Sequence, residues 1–121
     1  MAANILLVDN DLVTLKRLKT ELEECGYLVD YSTSGKEVFK NLVNNRPDAI
    51  MLGLELSELS GWQVCNLLKN NPATQNIPII IVSDEDNMQT RLTAIEKGAN
   101  GFIKKPYLLA ELINQLKRYT H

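Results

Sequence analysis

Residues 78–83 read PIIIVS, and the apolar run at 79–82 is the strongest strand signal in the chain. An uninterrupted apolar run is typical of a strand that is covered on both faces, because a half-exposed strand alternates apolar and polar residues. Similar runs occur upstream, ILLV at 5–8 and AIML at 49–52. These runs predict buried strands of a parallel sheet.

Helical patterns separate the predicted strands. Apolar residues recur at helical spacing from Leu12 to Cys25, and Gly26 is suited to end that helix. Further helices are predicted from about 35 to before Pro47, around 64–68, around 92–95 before Gly98, and over 108–116, with shorter strands at 27–31 and 101–103. This alternation predicts an α/β fold, a doubly wound (βα)5 parallel sheet in three layers, because each right-handed crossover places a helix on one sheet face.

The length and composition of the chain are typical of a single globular domain. The 121 residues, with 45% hydrophobic and 23% charged residues, fit a single globular domain over 1–121. A net charge of −2 lacks the basic excess that nucleic-acid binding requires. Apolar runs are far shorter than the roughly 20 residues of a membrane helix, and no secretory signal is recognisable. We therefore expect a cytoplasmic domain that binds neither nucleic acid nor membrane.

Cysteine and histidine exclude several site types. Cys25 and Cys65 have no CxxC spacing, so neither a disulfide framework nor a zinc site is predicted, and both thiols are expected to be buried. His121 is the only histidine, so histidine-based triads and multi-histidine metal sites have no support. We expect His121 to be exposed.

Polar residues follow the predicted strands at one edge of the sheet. In open parallel sheets, ligands bind outside the carboxyl ends of the strands, where the strand order reverses. The residues at those ends are Asp9-Asn10-Asp11, Gly53-Leu54-Glu55, Ser83-Asp84 and Lys104-Lys105-Pro106. Acids, a hydroxyl and a lysine are thus predicted to converge there.

The chain resembles the receiver domain of two-component response regulators over essentially its whole length. The resemblance is carried by ILLVDND at 5–11, by the segment from Arg46 to Asp84, and by GANGFIKKPY at 98–107. It implies a flavodoxin-like, CheY-like fold. It also implies a phosphoacceptor aspartate after the third strand, an acid pair after the first strand that holds Mg²⁺, and a hydroxyl and a lysine that bind phosphoryl oxygens.

Several positions depart from what the resemblance implies. The acceptor position is occupied by Gly53, and the second acid of the pair is Asn10. Ser83 and Lys105 match the hydroxyl and lysine positions, and Phe102 matches the aromatic switch position. The sequence leaves open whether Gly53 is natural or engineered.

These departures predict a receiver that does not accept phosphate. Glycine has no nucleophile, and Asp9 alone offers at most a weak Mg²⁺ site, so we expect neither a cofactor nor catalysis. Lys105 is then expected to pair with Asp9, or alternatively with Asp84 or Glu55. Asn10 and Asp11 are expected to cap the first helix rather than bind metal.

The sequence also allows two other functions. In the first alternative, the chain is a phosphorelay receiver. Its acceptor was then either replaced by mutation or relocated to Glu55 or Asp11. A flavodoxin-like domain that binds a nucleotide or flavin is a third alternative, although phosphate-binding glycine loops are missing.

The partner prediction also comes from the resemblance. We expect a partner protein or a fused effector domain to bind the face formed by the fourth helix, the fifth strand and the fifth helix, which includes Phe102. A homodimer through that face is an alternative. The sequence identifies neither the effector nor whether the chain is a fragment of a longer protein.

Overall fold

A computed structural model of the protein describes residues 2–120, so the expectation for His121 lies outside the described residues. The strands and helices alternate as predicted. The strands are β1 (Asn4–Val8), β2 (Leu28–Ser32), β3 (Ala49–Gly53), β4 (Ile79–Ser83) and β5 (Gly101–Lys104), and the helices are α1 (Leu12–Glu24), α2 (Gly35–Asn44), α3 (Gly61–Lys69), α4 (Met88–Glu96) and α5 (Leu109–Tyr119). Within residues 2–120, no helix has the length and apolar character needed to cross a bilayer.

The strands form one parallel sheet in the order β2-β1-β3-β4-β5. Core residues of α1 and α5 pack on one face, and those of α2, α3 and α4 pack on the other. The predicted three-layer, doubly wound α/β fold is therefore confirmed. The order reverses between β1 and β3, which places the topological switch point beside the ends of these two strands.

The three apolar runs form the centre of the sheet. Every residue of β3 and β4 is buried, as are residues 5–8 of β1. Both sheet faces are covered by helices, so these strands have no solvent-facing side that polar residues would occupy. This burial fixes where the carboxyl ends of β1, β3 and β4 lie.

Some sequence expectations fail at the periphery of the fold. Cys65 is buried as predicted, but Cys25 is exposed because it follows the last residue of α1. Strand β2 begins at Leu28 rather than Tyr27. The most informative difference is in α4, where Leu92 and Ile95 are 46% and 71% exposed and the buried residue is Ala94.

Lys69, at the end of α3, links three separate segments. Its ammonium group donates hydrogen bonds to the carbonyl oxygens of Gln75 and Ile77 and to Oδ1 of Asn100, at 3.2, 2.9 and 3.0 Å. Burial lowers the pKa of Lys69 below its usual value. The contacts join the α3–β4 loop to the α4–β5 loop, so this charge holds the start of β4 and β5 together.

Replacing Lys69 with methionine should therefore destabilise the protein. The Lys69→Met variant retains the apolar stem but removes the donor to these oxygens, and we expect the free energy of unfolding to fall by about 1–3 kcal/mol. Urea denaturation measures the change. Lys40→Met, on the exposed surface of α2, is the control and should change stability by less than about 0.5 kcal/mol; equal effects of both variants would contradict the linking role of Lys69.

Candidate functional site

A cavity of about 490 Å³ opens at the carboxyl ends of β1, β3 and β4. Its position at the switch point agrees with the edge that the sequence predicts. The cavity is lined by Asp9, Asn10, Gly53, Leu54, Glu55, Trp62, Val82, Ser83, Asp84, Glu85, Gln89, Thr90, Thr93 and Lys105. Most of the predicted site residues are thus brought together, whereas Asp11 and Phe102 do not line this cavity.

Gly53 is the last residue of β3, is buried and lines the cavity. A Cβ built on Gly53 would lie 3.2 Å from the carbonyl oxygen of Val8 and 3.5 Å from Oδ2 of Asp9. A side chain would therefore fit only with a small shift of β1, and it would enter the space beside the Asp9 carboxylate. In its absence, the end of β3 contributes backbone alone.

The loop after β3 is held against Gly53 by another glycine. The N–H group of Gly61 donates a hydrogen bond to the carbonyl oxygen of Leu54 at 2.9 Å. A Cβ on Gly61 would lie 2.2 Å from the carbonyl oxygen of Gly53, which no side chain can tolerate. Glycine at position 61 is therefore required for the close approach of α3 to the floor of the cavity.

Lys105 and Asp9 form the principal interaction of the site. The Nζ atom of Lys105 donates a hydrogen bond to Oδ2 of Asp9 at 2.9 Å, across 96 positions of the chain. The side chains are 32% and 14% exposed, so water screens the pair only in part. Of the three partners that the sequence allowed for Lys105, Asp9 is the one with which it pairs. Asp84 and Glu55 form no ion pair with Lys105.

Asp11 is occupied with starting α1. Its side chain accepts hydrogen bonds from the backbone N–H groups of Val13 and Thr14, and from the hydroxyl of Thr14 at 2.6 Å. The hydrogen bond from the Thr14 hydroxyl is the main reason why the pKa of Asp11 lies below its usual value. The capping role predicted for Asp11 is confirmed. Asn10 is exposed at the cavity rim and is not the cap.

Oδ1 of Asp9 is also engaged, since it accepts a hydrogen bond from the backbone N–H group of Asp11 at 3.0 Å. Each oxygen of the Asp9 carboxylate therefore has a donor from the protein itself. These two hydrogen bonds fix the orientation of the carboxylate.

Ser83 is buried at the end of β4, and its hydroxyl accepts a hydrogen bond from the backbone N–H group of Glu85 at 3.0 Å. The adjoining acids Asp84 and Glu85 are exposed at the cavity mouth, as is Glu55 on the loop after β3. Across residues 2–120, none of these acids forms an ion pair. The mouth of the cavity is therefore negatively charged.

Phe102 and Trp62 are partly buried. Trp62 lines the cavity, whereas Phe102 lies on β5 with the guanidinium of Arg91 above its ring, 4.7 Å from the centroid. Arg91 also forms a salt bridge with Asp86, and the hydrogen bond between them holds the pKa of Asp86 below its usual value. Phe102 is thus part of the surface of α4 and β5, outside the cavity.

Three residues of α4 that the sequence did not indicate also line the cavity. They are Gln89, Thr90 and Thr93. The available signal was the spacing of Thr90 and Thr93, which places both on one side of a helix. That pattern could not show which side faces the sheet, because α4 has too few apolar core residues to mark its buried face.

Residues 5–117 match the family model described as the response regulator receiver domain. The chain belongs to this family. Among curated relatives, this receiver domain is 31% identical over 117 residues to the response regulator MprA of Mycobacterium sp. (strain KMS), a match that covers 97% of the chain and 50% of the relative. The chain therefore spans about half the length of the curated relatives it matches.

Several solved structures have the same fold as this receiver domain. The signal receiver domain of a signal transduction histidine kinase from Syntrophus aciditrophicus has a TM-score of 0.89 and 31% identity, with 98% of this chain and 89% of that chain covered. The receiver domain of sensor histidine kinase PA1611 from Pseudomonas aeruginosa has a TM-score of 0.88 and 25% identity, with 98% of each chain covered. The chemotaxis protein CheY4 of Vibrio cholerae has a TM-score of 0.92 at 21% identity, with coverages of 98% and 99%, and supports the fold alone.

The ion pair between Lys105 and Asp9 should contribute measurably to the stability of this receiver domain. In a double-mutant cycle with Asp9→Asn and Lys105→Met, we expect a coupling free energy of about 1 kcal/mol, because the pair is charge-assisted and mostly shielded from water. The control cycle uses Lys36 and Glu58, whose charged atoms lie 3.8 Å apart on side chains that are 73% and 52% exposed. That pair should couple by less than about 0.5 kcal/mol, and equal coupling in the two cycles would refute the prediction.

Proposed function

We propose that this receiver domain works without phosphorylation, as a signalling module with no catalytic activity that acts through a protein-binding surface. The proposal rests on the residues found at the floor of the cavity. Gly53 ends β3 without a side chain, and Lys105 is paired with Asp9 beside it. We take Gly53 to stand at the position where the family carries its acceptor aspartate.

The chemistry of phosphoryl transfer supports the proposal. An acceptor must supply an oxygen nucleophile in line with the leaving group, and a cation must neutralise charge on the transferred group. Gly53 supplies no side-chain oxygen. The exposed acids Glu55, Asp84 and Glu85 would add repulsion toward an incoming phosphate, which carries about −1.5 to −2 charges.

The residues present do not fit a Mg²⁺ ion. Both oxygens of Asp9 accept hydrogen bonds from protein donors, and the carboxylate of Asp11 is used by the cap of α1. Within residues 2–120, no group of three or more acidic, cysteine or histidine side chains is arranged to hold a metal. The ammonium group of Lys105 instead neutralises Asp9, the task that a cation performs in an acidic site.

The alternative acceptors are less suited to the chemistry. Asp11 lies outside the cavity with its oxygens engaged, whereas Glu55 lines the cavity but is exposed and two residues beyond the strand end. Strand residues two places apart are separated by about 6–7 Å. Relocation of the acceptor to Glu55 is therefore the alternative that remains for experiment, and the family match gives no support to a flavin or nucleotide site.

The proposed interaction surface is the face formed by α4, β5 and α5. Met88, Leu92 and Ile95 of α4 are 78%, 46% and 71% exposed and repeat at helical spacing. An exposed apolar stripe of this kind is typical of a protein-binding surface. A partner protein or an effector domain fused in a longer chain would cover it.

The absence of phosphoryl transfer can be tested directly. After incubation with Mg²⁺ and acetyl phosphate, we expect the intact mass of the protein to remain unchanged, because Gly53 offers no nucleophile. The receiver domain of PA1611, which was crystallised with a magnesium ion coordinated in its active-site cleft, serves as a comparison for Mg²⁺ binding. An increase in mass by one phosphoryl group would refute the proposal, and loss of that increase in Glu55→Gln would assign the acceptor to Glu55.

Restoring two acids should restore the metal site. We expect the double variant Gly53→Asp, Asn10→Asp to bind Mg²⁺ and then to accept a phosphoryl group, because the new carboxylates compete with Asp9 for Lys105 and supply oxygen ligands. Isothermal titration calorimetry and intact mass measure the two effects. Gly53→Ala, Asn10→Asp adds the same Cβ without the carboxylate at position 53 and is the matched control. If the restored variant binds no Mg²⁺, the loop geometry itself prevents metal binding.

A further inference from the structure

Asn100 and Gly101 join the loop after α4 to the start of β5. Asn100 is the only asparagine of the sequence that is followed by glycine. Asn100 is exposed, Gly101 is partly buried as the first residue of β5, and both line a second, smaller cavity of about 280 Å³ beside that strand. The side chain of Asn100 and the peptide bond after it are therefore open to water.

An asparagine before glycine can react with its own backbone. Glycine has no Cβ, so the nitrogen of the following peptide bond approaches Cγ of the asparagine with little steric hindrance. The other asparagines precede residues with side chains, as Asn66 precedes Leu67 and Asn87 precedes Met88. Asn100 is thus the asparagine whose neighbour hinders this reaction least.

Two donors converge on the side-chain oxygen of Asn100. Its Oδ1 atom accepts a hydrogen bond from Nζ of Lys69 at 3.0 Å and another from the backbone N–H group of Ile79 at 3.0 Å. When a nucleophile adds to a carbonyl carbon, negative charge develops on the oxygen, and donors already in place at that oxygen stabilise the charge. The two donors therefore favour attack at Cγ of Asn100.

The remaining groups of Asn100 are held unequally. Its backbone N–H group donates to the carbonyl oxygen of Ile79 at 2.8 Å, and its carbonyl oxygen accepts a hydrogen bond from the hydroxyl of Tyr119. Its Nδ2 group, in contrast, donates to no acceptor within residues 2–120. The oxygen that would take up charge is bound by the protein, whereas the amino group that would leave is free.

We propose that Asn100 is a site of spontaneous deamidation, which the fold promotes through the donors of Lys69 and Ile79. The nitrogen of Gly101 forms a bond to Cγ of Asn100 and loses its proton, while the bond from Cγ to Nδ2 breaks and ammonia leaves. The resulting succinimide ring adds one water molecule and opens to aspartate or isoaspartate. The net reaction exchanges an amide and water for a carboxylic acid and ammonia.

The structure favours the aspartate product. Aspartate retains an oxygen between Lys69 and Ile79 and places a negative charge opposite the ammonium group. Burial lowers the pKa of Lys69, and a carboxylate at position 100 would oppose that effect. Isoaspartate instead adds one atom to the main chain directly before Gly101, which is in register with Ile80 of β4, and would disturb the start of β5.

Peptide mapping of the folded protein tests the proposal. Trypsin cleaves after Lys97 and Lys104, so residues 98–104 are released as one peptide, whose mass rises when the amide becomes a carboxylic acid. During incubation at neutral pH, we expect this segment to convert about tenfold faster than a synthetic peptide of the same sequence, which lacks both donors. Equal or slower conversion in the folded protein would overturn the inference, because the fold would then not promote the reaction.

Removal of the charged donor should slow the conversion. We expect Lys69→Met to react at least about tenfold more slowly than the unchanged protein, because Oδ1 keeps only the donor of Ile79. Ile103→Val is the matched control, since it weakens the packing of β5 by one buried methyl group, leaves both donors in place and should change the rate less than about twofold. Both variants are compared where circular dichroism shows them to be folded. An unchanged rate in Lys69→Met, or equal slowing in both variants, would overturn the inference.

The stability of the product is a separate test. Asn100→Asp reproduces the aspartate form and should raise the urea midpoint of unfolding at neutral pH, because its carboxylate pairs with Lys69. The same substitution in the Lys69→Met background should give no such rise. A lower midpoint for Asn100→Asp than for the unchanged protein would contradict the accommodation of aspartate by the fold.

Discussion

The ammonium group of Lys105 connects the end of β5 to the end of β1 across the intervening ends of β3 and β4. This connection requires that nothing bulky rises from the two strands between them. Gly53 has no side chain and Ser83 is small and buried, so the lysine reaches Asp9 directly. The same carboxylate oxygen that accepts from Lys105 would lie 3.5 Å from a Cβ on Gly53. The pair and the glycine are therefore parts of one arrangement.

This arrangement gives the cavity a fixed internal charge balance. An active acidic site concentrates carboxylates that repel one another until a cation binds, and two unit charges about 4 Å apart interact by ≈ 4 kcal/mol at an effective dielectric of 20. Here the partly buried carboxylate of Asp9 is paired with Lys105, and the remaining acids are exposed at the mouth. The chain itself therefore supplies the positive charge that faces Asp9.

Helix α4 borders both cavities with different sides. Thr90 and Thr93 line the cavity at the strand ends, whereas Arg91 and Ile95 line a second, smaller cavity beside β5. Its buried residue, Ala94, supplies little apolar area, so the helix is held less firmly by core packing than its neighbours. A helix of this kind can leave apolar side chains exposed for a partner, since the core does not need them.

The sequence by itself determined the order of the elements, the central position of the three apolar strands and the edge at which polar residues gather. It could do so because strands buried on both faces must be apolar throughout, and because parallel strands end on the same edge. The capping role of Asp11 also followed from residue type and position.

Only the tertiary structure decided the orientation of α4, the exposure of Cys25 and the existence of the smaller cavity beside β5. Periodicity places Leu92 and Ile95 on a helix, but the face that meets the sheet is set by the angle at which α4 packs, and the sheet accommodates only Ala94 there. Likewise, the choice of Asp9 over Asp84 or Glu55 as partner of Lys105 depended on distances across β3 and β4. These distances arise when separate strands are brought into register, so no local pattern of residues contains them.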